Sequence, residues 1–156
     1  MVKSYSSILV PLDGSEYSKR ALDEAIEISK RLDSQIELLA AVSASAARPA
    51  GVVLSGAVRG KGAAKSIDAF VKKAVSEAQG FMQDCEAYCQ NKGVQASYKV
   101  VSENPAKAII DYAKKNNNSL IVMGSQGLRG INKIKVLGSV SRHVLENASC
   151  PVVIVH

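Results

Sequence analysis

Gly124, Gly127, Gly138 and Ser139 are the residues whose type and spacing point most directly to chemistry. Gly124-Ser125-Gln126-Gly127 follows at once on the apolar run Ser119-Leu120-Ile121-Val122-Met123, and Gly138-Ser139 opens a helical stretch further on. A buried strand that empties into a glycine-rich loop, and then into a helix start, is a way to build a phosphate cradle. Glycine lets the backbone come close to an anion and take positive φ. The helix start adds unpaired N–H groups and the positive end of a dipole. A plainer reading uses the same groups: the glycines shape a surface loop and Ser139 caps a helix. The cations Arg129, Lys133 and Lys135 tilt the balance toward an anion, and so toward a held nucleotide.

Two other segments fail as phosphate loops. Gly56-Ala57-Val58-Arg59-Gly60-Lys61-Gly62 has three residues between Gly56 and Gly60 and then Lys-Gly, with no strand before it. A P-loop needs four residues and then Lys-Ser or Lys-Thr. The turn Pro11-Leu12-Asp13-Gly14-Ser15 lacks the G-x-G-x-x-G fingerprint of dinucleotide binding.

These loops need strands and helices to position them. Ser7 to Val10 and Ile36 to Val42 read as mostly apolar strands, Gln95 to Val101 as an alternating one, and Ser119 to Met123 and Pro151 to Val155 as two more apolar ones. Between the first two, Ser15 is a fair N-cap for a helix with Ala21, Ala25, Ile26, Ile28 and Leu32 on its inner face. A second helix is expected from about Ser66 to Asn91, with Ile67, Phe70, Val71, Ala74, Val75, Ala78, Phe81, Met82, Cys85 and Cys89 at helical spacing. Lys92-Gly93 closes it. A third starts at Asn104-Pro105, as cap and first turn. The fourth spans Gly138 to Asn147. Residues 43–65 are small, polar or basic and read as a long mobile loop.

Strictly alternating strands and helices imply an α/β domain with a five-stranded parallel sheet flanked by helices, Rossmann-like or flavodoxin-like. Ligands of such sheets sit outside the carboxyl ends of the strands. The turns after the first and fourth strands, with Asp13 and the Gly124 loop, are the expected site.

The chain has 156 residues and suits one domain, 1–156. Twenty basic and 14 acidic residues give a net charge of +6. That suits an anionic ligand, but a lysine-biased solubilising surface accounts for it as well. A basic stripe interleaved with aromatics is missing, and the chain has no Trp, so nucleic acid is not an expected partner. Cys85, Cys89 and Cys150 form no disulfide framework and have no zinc-ligand spacing with His143 or His156, so they are read as structural. The N-terminus has no signal-peptide core and no apolar run approaches the ~20 residues of a membrane span. The expected location is therefore the cytoplasm, without membrane attachment.

Taken together, Ile8-Leu9-Val10-Pro11-Leu12-Asp13-Gly14-Ser15, Ile121-Val122-Met123-Gly124-Ser125-Gln126-Gly127, Gly138-Ser139-Val140-Ser141 and Cys150-Pro151-Val152-Val153-Ile154-Val155 make the chain resemble the universal stress protein family along its whole length. Members with the pattern G, two residues, G, nine residues, G-S/T look like ATP or AMP binders. The resemblance implies that Gly124 and Gly127 begin a phosphate loop and that Gly138, Ser139 and Val140 finish it. Asp13 would meet the ribose side or a bound Mg²⁺. Ala41 would face the adenine edge through its backbone, with Met123 beside it. Pro11 and Gln126 complete the expected site, and no residue is expected to be catalytic beyond slow ATP hydrolysis. Here ten residues, not nine, separate Gly127 from Gly138. That departure keeps open a second function, a dimeric interaction protein of the same fold that binds no nucleotide. A nucleotide pyrophosphatase would want a Ser-Gly-Gly-type loop after the first strand, where this chain has Asp13-Gly14-Ser15-Glu16. Arg48, Arg59 and Lys61 of the long loop are candidates to close over phosphates. The resemblance also implies a homodimer through the strand Pro151–Val155.

Overall fold

A computed structural model describes residues 4–44, 61–128 and 137–156. The elements run β1 (Ser7–Pro11), α1 (Glu16–Leu32), β2 (Gln35–Ala41), α2 (Lys61–Asn91), β3 (Ala96–Val101), α3 (Pro105–Lys115), β4 (Leu120–Gly124), α4 (Ser139–Asn147) and β5 (Val152–Val155). All five strands pair in parallel, in the order β3-β2-β1-β4-β5. This is the expected α/β domain, with helices on both faces of the sheet.

The strands are apolar on both sides because both sides are covered. Alternate residues leave the sheet in opposite directions. Ile8 and Val10 of β1, Ile36 and Leu38 of β2 and Leu120 and Val122 of β4 meet Ala21, Leu22, Ala25 and Ile26 of α1 and Met82 and Cys89 of α2. Leu9, Leu39, Ile121 and Met123 point the other way and meet Ala106, Ile109 and Ala113 of α3 and Val144 of α4. The core is small and aliphatic, as a chain without Trp requires.

The caps are those the residue types dictate. Ser15 is the α1 N-cap, and its side chain accepts from the Ser18 N–H. Asn104 caps α3 by accepting from the Lys107 N–H, with Pro105 in the first turn. Ser15→Ala is expected to cost about 1 kcal/mol, read as a lower urea midpoint with an unchanged slope.

Three expectations need correction. The second helix starts at Lys61, five positions before Ser66, so the segment expected to be loop over 43–65 ends in helix. Ala63, Ala64 and Lys65 are good helix formers, and they outweigh Gly62. Leu32 is 47% exposed, because α1 closes there and Asp33 takes up left-handed backbone. Phe70 is 44% exposed, although it carries the right spacing for an inner face.

Away from the carboxyl ends of the strands lies a polar cluster. The Ser7 hydroxyl and the Asn118 amide both donate to Glu37 Oε1, at 2.9 and 3.1 Å. The Tyr112 hydroxyl bonds Glu37 as well. Burial first, and then this carboxylate, push the Tyr112 phenol up to about 12. Burial, with Cys85 nearby, pushes the Cys89 thiol up to about 11. In the unfolded chain a Cys thiol loses its proton at about 8.5 and a Tyr phenol at about 10. Both raised values favour the neutral folded form. The contribution of these two groups to stability is therefore constant up to about pH 8 and falls from there through about pH 12. A series of urea midpoints over that range checks it. A flat profile to pH 11 would contradict the burial of Cys89.

Candidate functional site

The strand order reverses at β1, which has β2 on one side and β4 on the other. The crevice of an open parallel sheet opens at such a point, beyond the carboxyl ends of the two strands. By that rule the place for a ligand here is at the turn 12–15 and the loop that follows β4.

Asp13 stitches these two segments together. Its Oδ1 accepts from the Ser15 N–H at 2.9 Å and its Oδ2 from the Leu128 N–H at 3.2 Å. Gly14 takes φ of 81°, which lets the turn close. A second, longer contact joins the Ser15 hydroxyl to the Gln126 carbonyl at 3.5 Å. The carboxylate sits so close to the glycine loop that a Cβ on Gly127 would lie 2.7 Å from Asp13 Oδ2.

Gly124 ends β4 directly beneath α1. A Cβ there would lie 2.8 Å from both the carbonyl carbon and the Cβ of Tyr17. Ser125 then turns the chain toward α4. Its N–H donates to the Val155 carbonyl, and its own carbonyl accepts from the Gly138 N–H at 2.8 Å and the Ser141 hydroxyl at 2.7 Å. These bonds draw the N-terminus of α4 against the foot of the glycine loop. Gly138, as N-cap, has no side chain to satisfy the first N–H groups of α4. Ser139 is exposed in the first turn. The result is a helix N-terminus, with its positive dipole end, facing a close-packed glycine loop.

The structure thus brings Asp13, Gly127, Gly124, Gly138 and Ser139 to one edge of the sheet. Pro11 and Ala41, each half-buried, are the last residues of β1 and β2 at that edge. Met123 and Gln126 are buried, at 4% and 8% exposure, so they offer little side-chain surface to a ligand. Val140 is half-buried and packs on the second core. Arg48, Arg59, Arg129, Lys133 and Lys135 lie outside the described residues, as does most of the ten-residue spacer between Gly127 and Gly138; the Lys61 side chain is likewise not described.

Of the two reasons expected for the glycines, positive φ does not hold. Positive φ among described glycines occurs at Gly14 and Gly93, not in the 124–138 constellation. Gly124 and Gly127 are needed for close approach, to the Tyr17 backbone and the Asp13 carboxylate. Sequence reasoning also gave no role to Ser141 or Ser125. The Ser125 hydroxyl is buried with no hydrogen-bond partner among the described residues. The signal for Ser141 was its place in the first turn of a helix whose cap has no side chain.

The geometry can be set beside known proteins. The universal stress protein YxiE of Bacillus subtilis is 32% identical over 153 residues, covering 97% of this chain and 99% of the relative. A universal stress protein of Methanocaldococcus jannaschii is 31% identical over 153 residues, covering 97% and 82%. Among solved structures, universal stress protein UspA from Lactobacillus plantarum superposes with a TM-score of 0.82 at 22% identity, over 99% of both chains. A universal stress protein in complex with cAMP gives 0.69 at 21% identity, over 99% and 98%. One from Archaeoglobus fulgidus in complex with dAMP gives 0.60 at 20%, over 99% and 100%. Residues 4–156 match the universal stress protein family, and with the fold, the β1–β4 crevice and these relatives in agreement, the chain belongs to that family.

Proposed function

We propose that this chain binds an adenine nucleotide, ATP or AMP, in the crevice between β1 and β4, and serves stress response or signalling with at most slow hydrolysis. The observation that carries the reading is the 2.8 Å bond from the Gly138 N–H to the Ser125 carbonyl, which holds the α4 N-terminus against the glycine loop. Gly124 and Gly127 begin the phosphate cradle, and Gly138, Ser139 and Val140 complete it. Asp13 meets the ribose. Pro11, Ala41, Met123 and Gln126 border the base, Ala41 through its backbone. Two structural relatives are complexes with cAMP and dAMP, which favours an adenine nucleotide over other anions.

Mg²⁺ fits only together with a nucleotide. No group of three or more metal-binding side chains occurs among the described residues, and both Asp13 oxygens already accept backbone bonds. Asp13 would supply one ligand and the phosphates the others, which is a normal sharing for this ion. Bound there, Mg²⁺ would neutralise phosphate charge.

Mass spectrometry of ligand released from freshly purified, denatured protein tests the reading. Adenine nucleotide near one per chain is expected. An empty protein that also shows no thermal shift with Mg-ATP or AMP would overturn it. That outcome would favour the second reading, a dimeric interaction protein. β5 supports such a role, since among the described residues it is a sheet edge paired to β4 alone, and it carries Val153 at 37% exposure. We expect a homodimer through residues 151–155 under either reading. Light scattering checks it, and one-chain mass at micromolar concentration would refute it.

No helix among the described residues is long and apolar enough to cross a membrane.

A further inference from the structure

One carbonyl oxygen joins the two halves of the glycine constellation. The Ser125 carbonyl accepts from the Gly138 N–H at 2.8 Å and from the Ser141 hydroxyl at 2.7 Å. A carbonyl oxygen has two lone pairs, and these bonds use both. The Ser141 hydroxyl also lies 3.1 Å from the Gly138 carbonyl. It has one proton to give. A length of 2.7 Å is ordinary for an O–H···O bond, whereas 3.1 Å is long. The proton therefore goes to Ser125. Ser125 and Ser141 are 1% and 2% exposed, so water cannot stand in for either partner.

The direction of this bond sets it apart from a cap. An N-cap side chain accepts from the N–H groups of the first turn. Gly138 makes no such bond, and the Ser141 hydroxyl donates instead. The end of α4 is thereby fixed to the loop without a side-chain oxygen on its first N–H groups. Those groups keep their capacity to hold an anion.

Both anchors are held from outside the spacer between Gly127 and Gly138. The Ser125 N–H donates to the Val155 carbonyl of β5 at 2.8 Å. α4 is seated in the second core by Val144, which is fully buried. Ser125 precedes the spacer and Ser141 follows it, 16 positions on. The residue by which the spacer exceeds nine lies between them.

We propose that Ser141 is the positioning residue of the phosphate cradle, and that its bond to Ser125 sets the glycine loop against α4 for a spacer of ten residues as for one of nine. The proposal rests on the nucleotide reading above. Ser141 acts through the Ser125 carbonyl and not by touching the ligand. Without its hydroxyl the end of α4 drifts from the loop, and N–H groups on the two sides no longer converge on one phosphate. A nucleoside, which has no phosphate, makes no use of that convergence.

Heteronuclear NMR titration of the full chain with AMP and with adenosine tests this. Ser141→Ala is expected to weaken AMP binding about tenfold. Adenosine should stay within about twofold of wild type. Shifts away from residues 124–141 should hold their wild-type positions, as in an intact fold. A variant that binds AMP as wild type does, or that loses AMP and adenosine alike, would overturn the positioning role. Deletion of Gly130 restores nine residues and is expected to leave AMP affinity within about threefold, the scale of a small change in loop length. A larger change in either direction would mean that spacer length, and not Ser141, sets the cradle. Wild-type protein that binds neither ligand would overturn the nucleotide reading, and this one with it.

Discussion

Gly124→Val is expected to destabilise the fold by about 3 kcal/mol or more, at the upper end for overpacking a tight contact. For a chain of this size the thermal midpoint would fall by roughly 6–12 °C. The added Cβ would lie 2.8 Å from the Tyr17 carbonyl carbon and 3.0 Å from the Ser18 nitrogen. These are helix backbone atoms in the first turns of α1, whose inner face is anchored by Ala21, Leu22 and Ala25 in the core. They can yield only if α1 lifts off β4. Gly124→Ala should show a smaller loss of the same sign, because it adds the clashing carbon without the γ-methyls. Thermal unfolding followed by circular dichroism without nucleotide measures both. A valine variant that melts within 2 °C of wild type would mean that α1 does not press on the loop as described.

Gly127→Val combined with Gly138→Val should do the opposite: leave the fold and remove the ligand. The Cβ at position 127 would strike Asp13 Oδ2, the far end of an exposed side chain that can swing away. At Gly138 the nearest atom is the Ser125 carbonyl oxygen at 3.4 Å, an ordinary contact. The fold therefore tolerates both changes, but the Asp13 bridge to Leu128 opens and branched side chains enter the cradle. Affinity for ATP or AMP is expected to fall about 100-fold or more, a loss of about 2.7 kcal/mol, by titration calorimetry. The melting temperature should stay within a few degrees. Unchanged affinity would place the nucleotide elsewhere. Asp13→Ala isolates the bridge and should give an intermediate loss.

The contrast between these glycines shows what a sequence carries. The order of elements was legible because each buried parallel strand is a nearly unbroken apolar run, as in Ser7-Ile8-Leu9-Val10 and Leu120-Ile121-Val122-Met123. The caps Ser15 and Asn104 were legible because capping is local. The place of the proposed site was read from topology, which puts the turn after β1 beside the loop after β4. What each glycine faces was not legible, because Tyr17 and Asp13 come from more than a hundred positions away. Both glycines were expected to give positive φ and close approach to an anion; neither takes positive φ, and their close approaches are to Tyr17 and Asp13 of the chain itself. The Glu37 cluster was missed for a similar reason. A carboxylate in an apolar strand is a visible anomaly, but its partners Ser7, Tyr112 and Asn118 are brought to it by three other segments. Lys61 to Lys65 reads as loop from its small and basic composition, yet the same alanines and lysines are good helix formers.

The central place of β1 has a consequence for how the chain is made. Its partner on one side, β2, follows after a single helix, but on the other side Ser7 waits for Ser119, 112 positions on. On a ribosome, β1, β2 and β3 can assemble while β4 is still unmade. Through that interval the middle strand of the finished sheet is an edge strand, with Ile8, Leu9 and Val10 along an open row of backbone donors and acceptors. Pairings over such separations form late and slowly. A nascent or truncated chain that ends before residue 120 should accordingly be a target for chaperones and for strand-to-strand aggregation, even though the completed domain keeps these three residues at 0% exposure.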